Sequence, residues 1–492
     1  CQRVCSTMLA PRAHLPSGAP VDVNLSGVYT VGAARGRIGK ALGAAPNRVR
    51  LIDSSSFAQL NDDAALPSDV QVVLLSLDPA VERRAEAKLL RVTGAADMDE
   101  LLDIKRLELG QSQLTALPES LSELASLQEL LLEKNALRAL PKKLGLLTSL
   151  QRVEVDNNQL TALPENLGQL ENLQTLSLHH NQLTQLPESF VRLASLQQLA
   201  LNENQLASLP ESFGELRALQ ELQLSHNHLT ALPGTFGRLN ALKQVELEQN
   251  CLRELPESFG QLIALQKLQL AHNQLTVLPD SFCQLVSLQQ LGLHRNKLIC
   301  LPSRFGHLRC LQEFIVEHNE LTLLPESFGQ LAVLRHVELQ SNQLTRLPES
   351  FGQLVTLQKV FLHENCLMAL PENFGQLTGL QGLSLDHNQL RELPESVSRL
   401  TGLKELMVNH NKLITLPDSI AQLTGLRTLV LHDNELVALP ETIAQLVALE
   451  ELTLHHNPLE ALPASFGQLF SLRVLWLPQK YLSSGPPKSL GQ

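Results

Sequence analysis

Asparagine recurs in this chain every 23 residues without a slip, at positions 135, 158, 181, 204, 227, 250, 273, 296, 319, 342, 365, 388, 411, 434 and 457. Ser112 holds the same place one step earlier and Lys480 one step later, which makes about seventeen units with degenerate ends. So regular a period rules out a single compact core. Each unit can bury its apolar face only against its neighbours, so the chain must fold as a stacked array whose end units, facing water, depart from the common pattern.

Around each asparagine the text reads LxxLxLxxNxLxxLP, as in Leu265, Leu268, Leu270, Asn273, Leu275, Leu278 and Pro279. The LxL alternation sends two leucines inward and the residues between them outward on a short strand. Successive strands are expected to pair in parallel, with the asparagine side chain satisfying buried backbone groups in the turn. Proline follows six residues after the asparagine, from Pro118 to Pro463, where it ends the strand side and suits a helical first turn. Nine residues after the asparagine stands a phenylalanine column, Phe190 to Phe374 and again Phe466, which predicts an interior stack of rings.

Aromatic residues are only 3 % of the 492, so leucine does most of the packing, as suits a solenoid. The net charge is −11, and the first hundred residues hold equal numbers of acidic and basic side chains. The repeats are therefore the acidic part, which argues against nucleic acid as a partner. Seven cysteines in no paired cluster read as reduced thiols and a cytoplasmic location. No apolar run reaches the roughly 18 residues that span a bilayer.

This pattern matches the leucine-rich repeat. From about Leu107 to Leu482 the chain resembles intracellular leucine-rich-repeat proteins of the Ras-group type, which share the 23-residue LPxxFxxL unit. The resemblance implies an α/β solenoid over residues 105–492, with a curved parallel sheet on its concave face. It also implies a scaffold in signal transduction that assembles proteins, GTPases and phosphatases among them.

Residues 20–77 have another texture. VDVNLSGVYTV reads as two short strands, AARGRIGKALG as a helix, and NRVRLI and DVQVVLLSL as further strands. That order resembles a ubiquitin-like β-grasp, a small α+β domain, with residues 1–19 as a disordered or truncated leader. The segment ARGRIGKA has Ala34 and Ala41 where a phosphate-binding loop needs glycine and a hydroxyl, so it reads as helix. Residues 78–104 read as a helical cap over the first repeat.

Thirteen of sixteen histidines fall at outward strand positions or just before the asparagine, among them His363, His387, His410 and His432. Three readings stand beside one another: duplication of an ancestral unit, a pH-responsive or anion-contacting face, and metal binding. Adjacent strands bring His432, His455 and His456 near one another, yet no cysteine or tight carboxylate set completes a recognised spacing, and no metal or cofactor is assigned. A sharper signal lies four residues before the asparagine. Polar in the early units, that column later offers Ile315, Phe361, Met407, Val430 and Trp476, with Glu338 and Lys359 beside it. Outward apolar residues of this kind mark a partner site unless they shield one another along the sheet.

No nucleophile and base, phosphate cradle or metal motif stands apart from the repeat pattern, so the expectation is a monomeric, non-enzymatic scaffold or adaptor with a protein on its concave face. The alternative is an adaptor whose ubiquitin-like domain recruits ubiquitin machinery while the repeats select a substrate.

Overall fold

The computed structural model describes residues 79–483 and the backbone of three strands before them, β1 (Arg12–His14), β2 (Val49–Asp53) and β3 (Asp69–Leu74). The chain divides into two compact units, Cys1–Gly94 and Ala95–Gln492. In the first unit β3 is the middle strand, parallel to β1 and antiparallel to β2. β2 and β3 fall where strands were expected, whereas β1 lies inside the segment read as a leader. The strands expected within 21–31, the helix within 33–43 and the segment 34–41 lie outside the described residues. Helix α1 (Pro79–Thr93) follows, with proline at its first position. Gly94 ends it at φ +77°, its amide bonded to the Leu90 carbonyl, in a left-handed cap that glycine adopts without penalty. The division between the units thus falls inside the span 78–104.

The second unit is an α/β solenoid. Seventeen three-residue strands run from β4 (Arg106–Glu108) to β20 (Val474–Trp476), each paired in parallel with the next. The register advances by one unit, as in Lys267↔Gln290, Leu268↔Leu291 and Gln269↔Gly292. The middle residue of nearly every strand is buried and its neighbours face outward, as the LxL alternation requires.

The returning segments are 3-10 helices rather than α-helices. In Glu257–Gln261 the Phe259 amide bonds the Pro256 carbonyl at 2.9 Å, and the Leu262 amide bonds Phe259. Five residues are too few for an established α-helix, and the tighter turn closes in that length. Proline stands one place before the helix, extended at ψ 149° in Pro256, so it supplies the first acceptor instead of the first helical residue.

Each consensus asparagine bonds across units, and all but the first, the half-buried Asn135, are buried. Asn273 Nδ2 donates to the carbonyls of Leu247 and Leu270, and its Oδ1 accepts from the Leu252 amide. The same set recurs from Asn135 to Asn457. Phenylalanine fills the interior as the sequence predicts. Phe236 and Phe259 stack at 5.8 Å with planes 3° apart, and Phe328 and Phe351 at 6.0 Å and 3°. Strand residue Phe314 joins the spine, 5.0 Å from Phe305.

Candidate functional site: the concave face

The outward strand residues make one continuous surface. Its column four before the asparagine runs, strand by strand, through Ile315, Glu338, Phe361, Ser384, Met407, Val430, Thr453 and Trp476. Met407 and Val430 are therefore direct neighbours, while Ser384 separates Phe361 from Met407 and Thr453 separates Val430 from Trp476. Ile315, Phe361, Met407 and Val430 are half-buried, and Trp476 on the last strand is 59 % exposed. Phe361 is flanked edge-on by His336 at 5.8 Å and His363 at 6.4 Å, so mutual shielding along the sheet accounts for part of its burial.

Of the polar residues singled out beside this column, Glu338 stands within it, between Ile315 and Phe361, and the others lie around it. Glu338 Oε1 lies 2.6 Å from His336 Nε2 and its Oε2 accepts from Gln340. Lys359 is exposed, and His363 Nδ1 meets the Ser384 hydroxyl at 3.2 Å. His387, His410 and His432 form a chain of rings with centroids 4.1 and 5.3 Å apart. That chain continues to His455, stacked on His432 at 4.4 Å and 8°, and from His455 to Trp476 at 5.7 Å. Burial, and after it the neighbouring His455, holds the His432 imidazole below its ordinary pKa.

A backbone feature explains much of the histidine pattern. The residue immediately before the asparagine is left-handed in every unit from Gln111 to His456, with φ between 51° and 57°. Histidine, with Asn and Asp, is among the non-glycine residues enriched in that conformation. His180, His226, His272, His318, His387, His410 and His456 all occupy it. His363, His432 and His455, one place earlier, do not.

Two things escaped sequence reasoning. Asp433, itself left-handed at φ 55°, stands among His410, His432 and His456. A second exposed apolar column lies off the concave face, at Ile263, Val286, Val355, Val447 and Phe470, each opening the turn that leads to the next strand. Their thirteen-residue offset from the asparagine was the available signal. Among the described cysteines all are free, and burial pushes the Cys283 thiol up to about 11.

Family models of a leucine-rich repeat region match residues 153–232, and models of leucine rich repeats match 255–298, 378–436 and 401–459. A solved leucine-rich-repeat protein of Leptospira interrogans is 34 % identical with a TM-score of 0.63, over 77 % of this chain and 92 % of that one. The chain belongs to the leucine-rich-repeat family. Among other solved leucine-rich-repeat structures, the plant peptide hormone receptor RGFR1 in complex with RGF2 is 25 % identical, with a TM-score of 0.56 over 78 % of this chain and 75 % of the receptor. The ectodomain of the receptor kinase GASSHO1/SCHENGEN3 from Arabidopsis thaliana, in complex with CASPARIAN STRIP INTEGRITY FACTOR 2, is 29 % identical with a TM-score of 0.53. There the match covers 78 % of this leucine-rich-repeat chain and 57 % of the ectodomain. Among curated proteins no significant match is found. No described helix is long and apolar enough to cross a membrane.

Proposed function

We propose that this leucine-rich-repeat protein is a non-enzymatic scaffold that holds a protein partner on the C-terminal half of its concave face, as a monomer in cytoplasmic signalling. The observation that carries the reading is the column Phe361, Met407, Val430 and Trp476, apolar on a face where the fold supplies no interior for it to fill. Acidic Glu338 within the column and Glu317 and Asp386 beside it favour a partner with basic character. Structural relatives solved with a bound peptide hormone or integrity factor support a protein or peptide as the ligand class. Free cysteines, Cys300 and Cys310 exposed among them, support a reducing compartment. The Ras-group resemblance of the LPxxFxxL units points to GTPases and phosphatases as partner classes.

Affinity capture from a cytosolic extract with the wild type and with Phe361→Glu/Met407→Glu tests this reading. A defined set of proteins lost by the folded variant supports it, and identical captures remove this surface from consideration.

The separate N-terminal unit, with the mixed pairing of β3 between β1 and β2, favours a second reading, a ubiquitin-pathway adaptor. Deleting residues 1–78 discriminates between the two. Continued co-purification of ligase or proteasome components after the deletion ends the adaptor reading.

A further inference from the structure

We propose that His410, His432 and Asp433 bind a zinc-class divalent ion, through His410 Nε2, His432 Nε2 and Asp433 Oδ2, at the C-terminal end of the concave face. The site is independent of which protein that face holds.

The two histidine nitrogens lie 3.6 and 4.0 Å from Asp433 Oδ2. Those gaps are too long for hydrogen bonds; tetrahedral ligands held at about 2.0–2.2 Å from one ion stand about 3.3–3.6 Å apart, so the first gap fits and the second closes with a shift of a few tenths of an ångström. Ligating atoms of the three residues all fall within 4.8 Å of one another. Among the described residues, the sets of three that approach so closely all include Asp433.

The scaffold fixes this geometry. The His410 amide bonds the His432 carbonyl at 3.1 Å, and the Asn411 amide bonds the Asp433 carbonyl at 3.2 Å, so the three backbones are locked by the inter-unit ladder. His410 and Asp433 share the left-handed position, which aims both side chains from equivalent places on adjacent units. A supporting shell is also present. Thr453 Oγ1 lies 3.0 Å from His432 Nδ1, and in the ion-bound form Nδ1–H donates to it while Nε2 coordinates. His456 Nδ1, 2.9 Å from Asp433 Oδ1, holds the other carboxylate oxygen, and the stacked His455 ring fixes the plane of His432.

The left-handed preference accounts for His410. It accounts for Asp433 too, but not for His432, which lies one place earlier and turns a second imidazole toward the same carboxylate. Two imidazoles and one carboxylate suit zinc, nickel or copper better than magnesium or calcium. Three protein ligands leave a coordination position open to the face.

Isothermal titration of the tag-free full chain with zinc chloride near neutral pH tests the site, with cobalt(II) absorption as a second reading of the coordination. The expected result is saturable binding that weakens by roughly tenfold or more in both Asp433→Asn and His432→Gln. His226→Asn, at the equivalent position eight units before His410, keeps the wild-type affinity. Asparagine tolerates the left-handed backbone, and melting in chelator confirms that the variants fold. Absence of saturable binding by the wild type overturns the proposal, as does wild-type affinity in His432→Gln. Loss in His455→Gln with retention in His432→Gln also overturns it, since the ion would then sit on the opposite side of Asp433.

Discussion

Asn273 donates from Nδ2 to the Leu247 carbonyl at 2.9 Å, twenty-six residues earlier in the chain and one unit away. A side chain thereby substitutes for a backbone ladder in a turn that cannot form one, and the units from Asn135 to Asn457 each repeat the device. Asn273→Ala leaves the Leu247 carbonyl and the Leu252 amide without that partner. It is expected to cost about 1–3 kcal/mol in urea unfolding, with amide exchange rising first around residues 247–275. Unaltered stability would show that water satisfies the turn.

Phe328 is fully buried between Phe305 and Phe351, with Phe314 against it from the strand side. Phe328→Ala is expected to cost about 3–5 kcal/mol, through lost burial and the cavity left in a spine that cannot collapse along its length. Phe328→Leu should cost much less, because Leu167 fills the same place in an earlier unit. Thermal melts of the two variants measure the difference.

The left-handed position separates conformation from chemistry among the histidines. His226 is exposed at φ 57°. His226→Val forces a β-branched residue into that backbone and is expected to destabilise by about 1–2 kcal/mol, whereas His226→Asn stays near the wild type. Equal stability of both variants in denaturant unfolding would remove the conformational explanation.

Stability is expected to fall on acidification through His272. Burial first, then the charges of Arg295, His294 and His226, hold its pKa below 6.5, and Glu248 opposes them. The unfolded chain consequently takes up the proton before the folded one does, so stability is lost as the pH drops below about 6.5 toward the lower folded value. His272→Asn should flatten the stability profile in that window, and an unchanged slope would assign the acid sensitivity elsewhere.

The repeat unit was legible because its determinants are local and spaced by a fixed number. Asn273, Pro279 and Phe282 each recur at multiples of 23, and each has one physical task. The left-handed backbone at His226 was not legible, because eight different residue types occupy that column and no glycine marks it. The 3-10 form of the return depends on how few residues follow Pro256, and periodicity does not report that length. Of the candidate site, the order Phe361, Met407, Val430, Trp476 followed directly from the strand register. The convergence on Asp433 did not, because it joins side chains from three units at two different column positions.

The central claim, that the concave column and not the exposed turn column holds the partner, is tested most directly by site-specific photo-crosslinking in cytosolic extract. A photoreactive residue at Met407 is compared with one at Val447, which is more exposed but opens the turn before a strand. The account predicts a discrete crosslinked partner from position 407 and none from position 447. The same partner captured from 447 alone would contradict it.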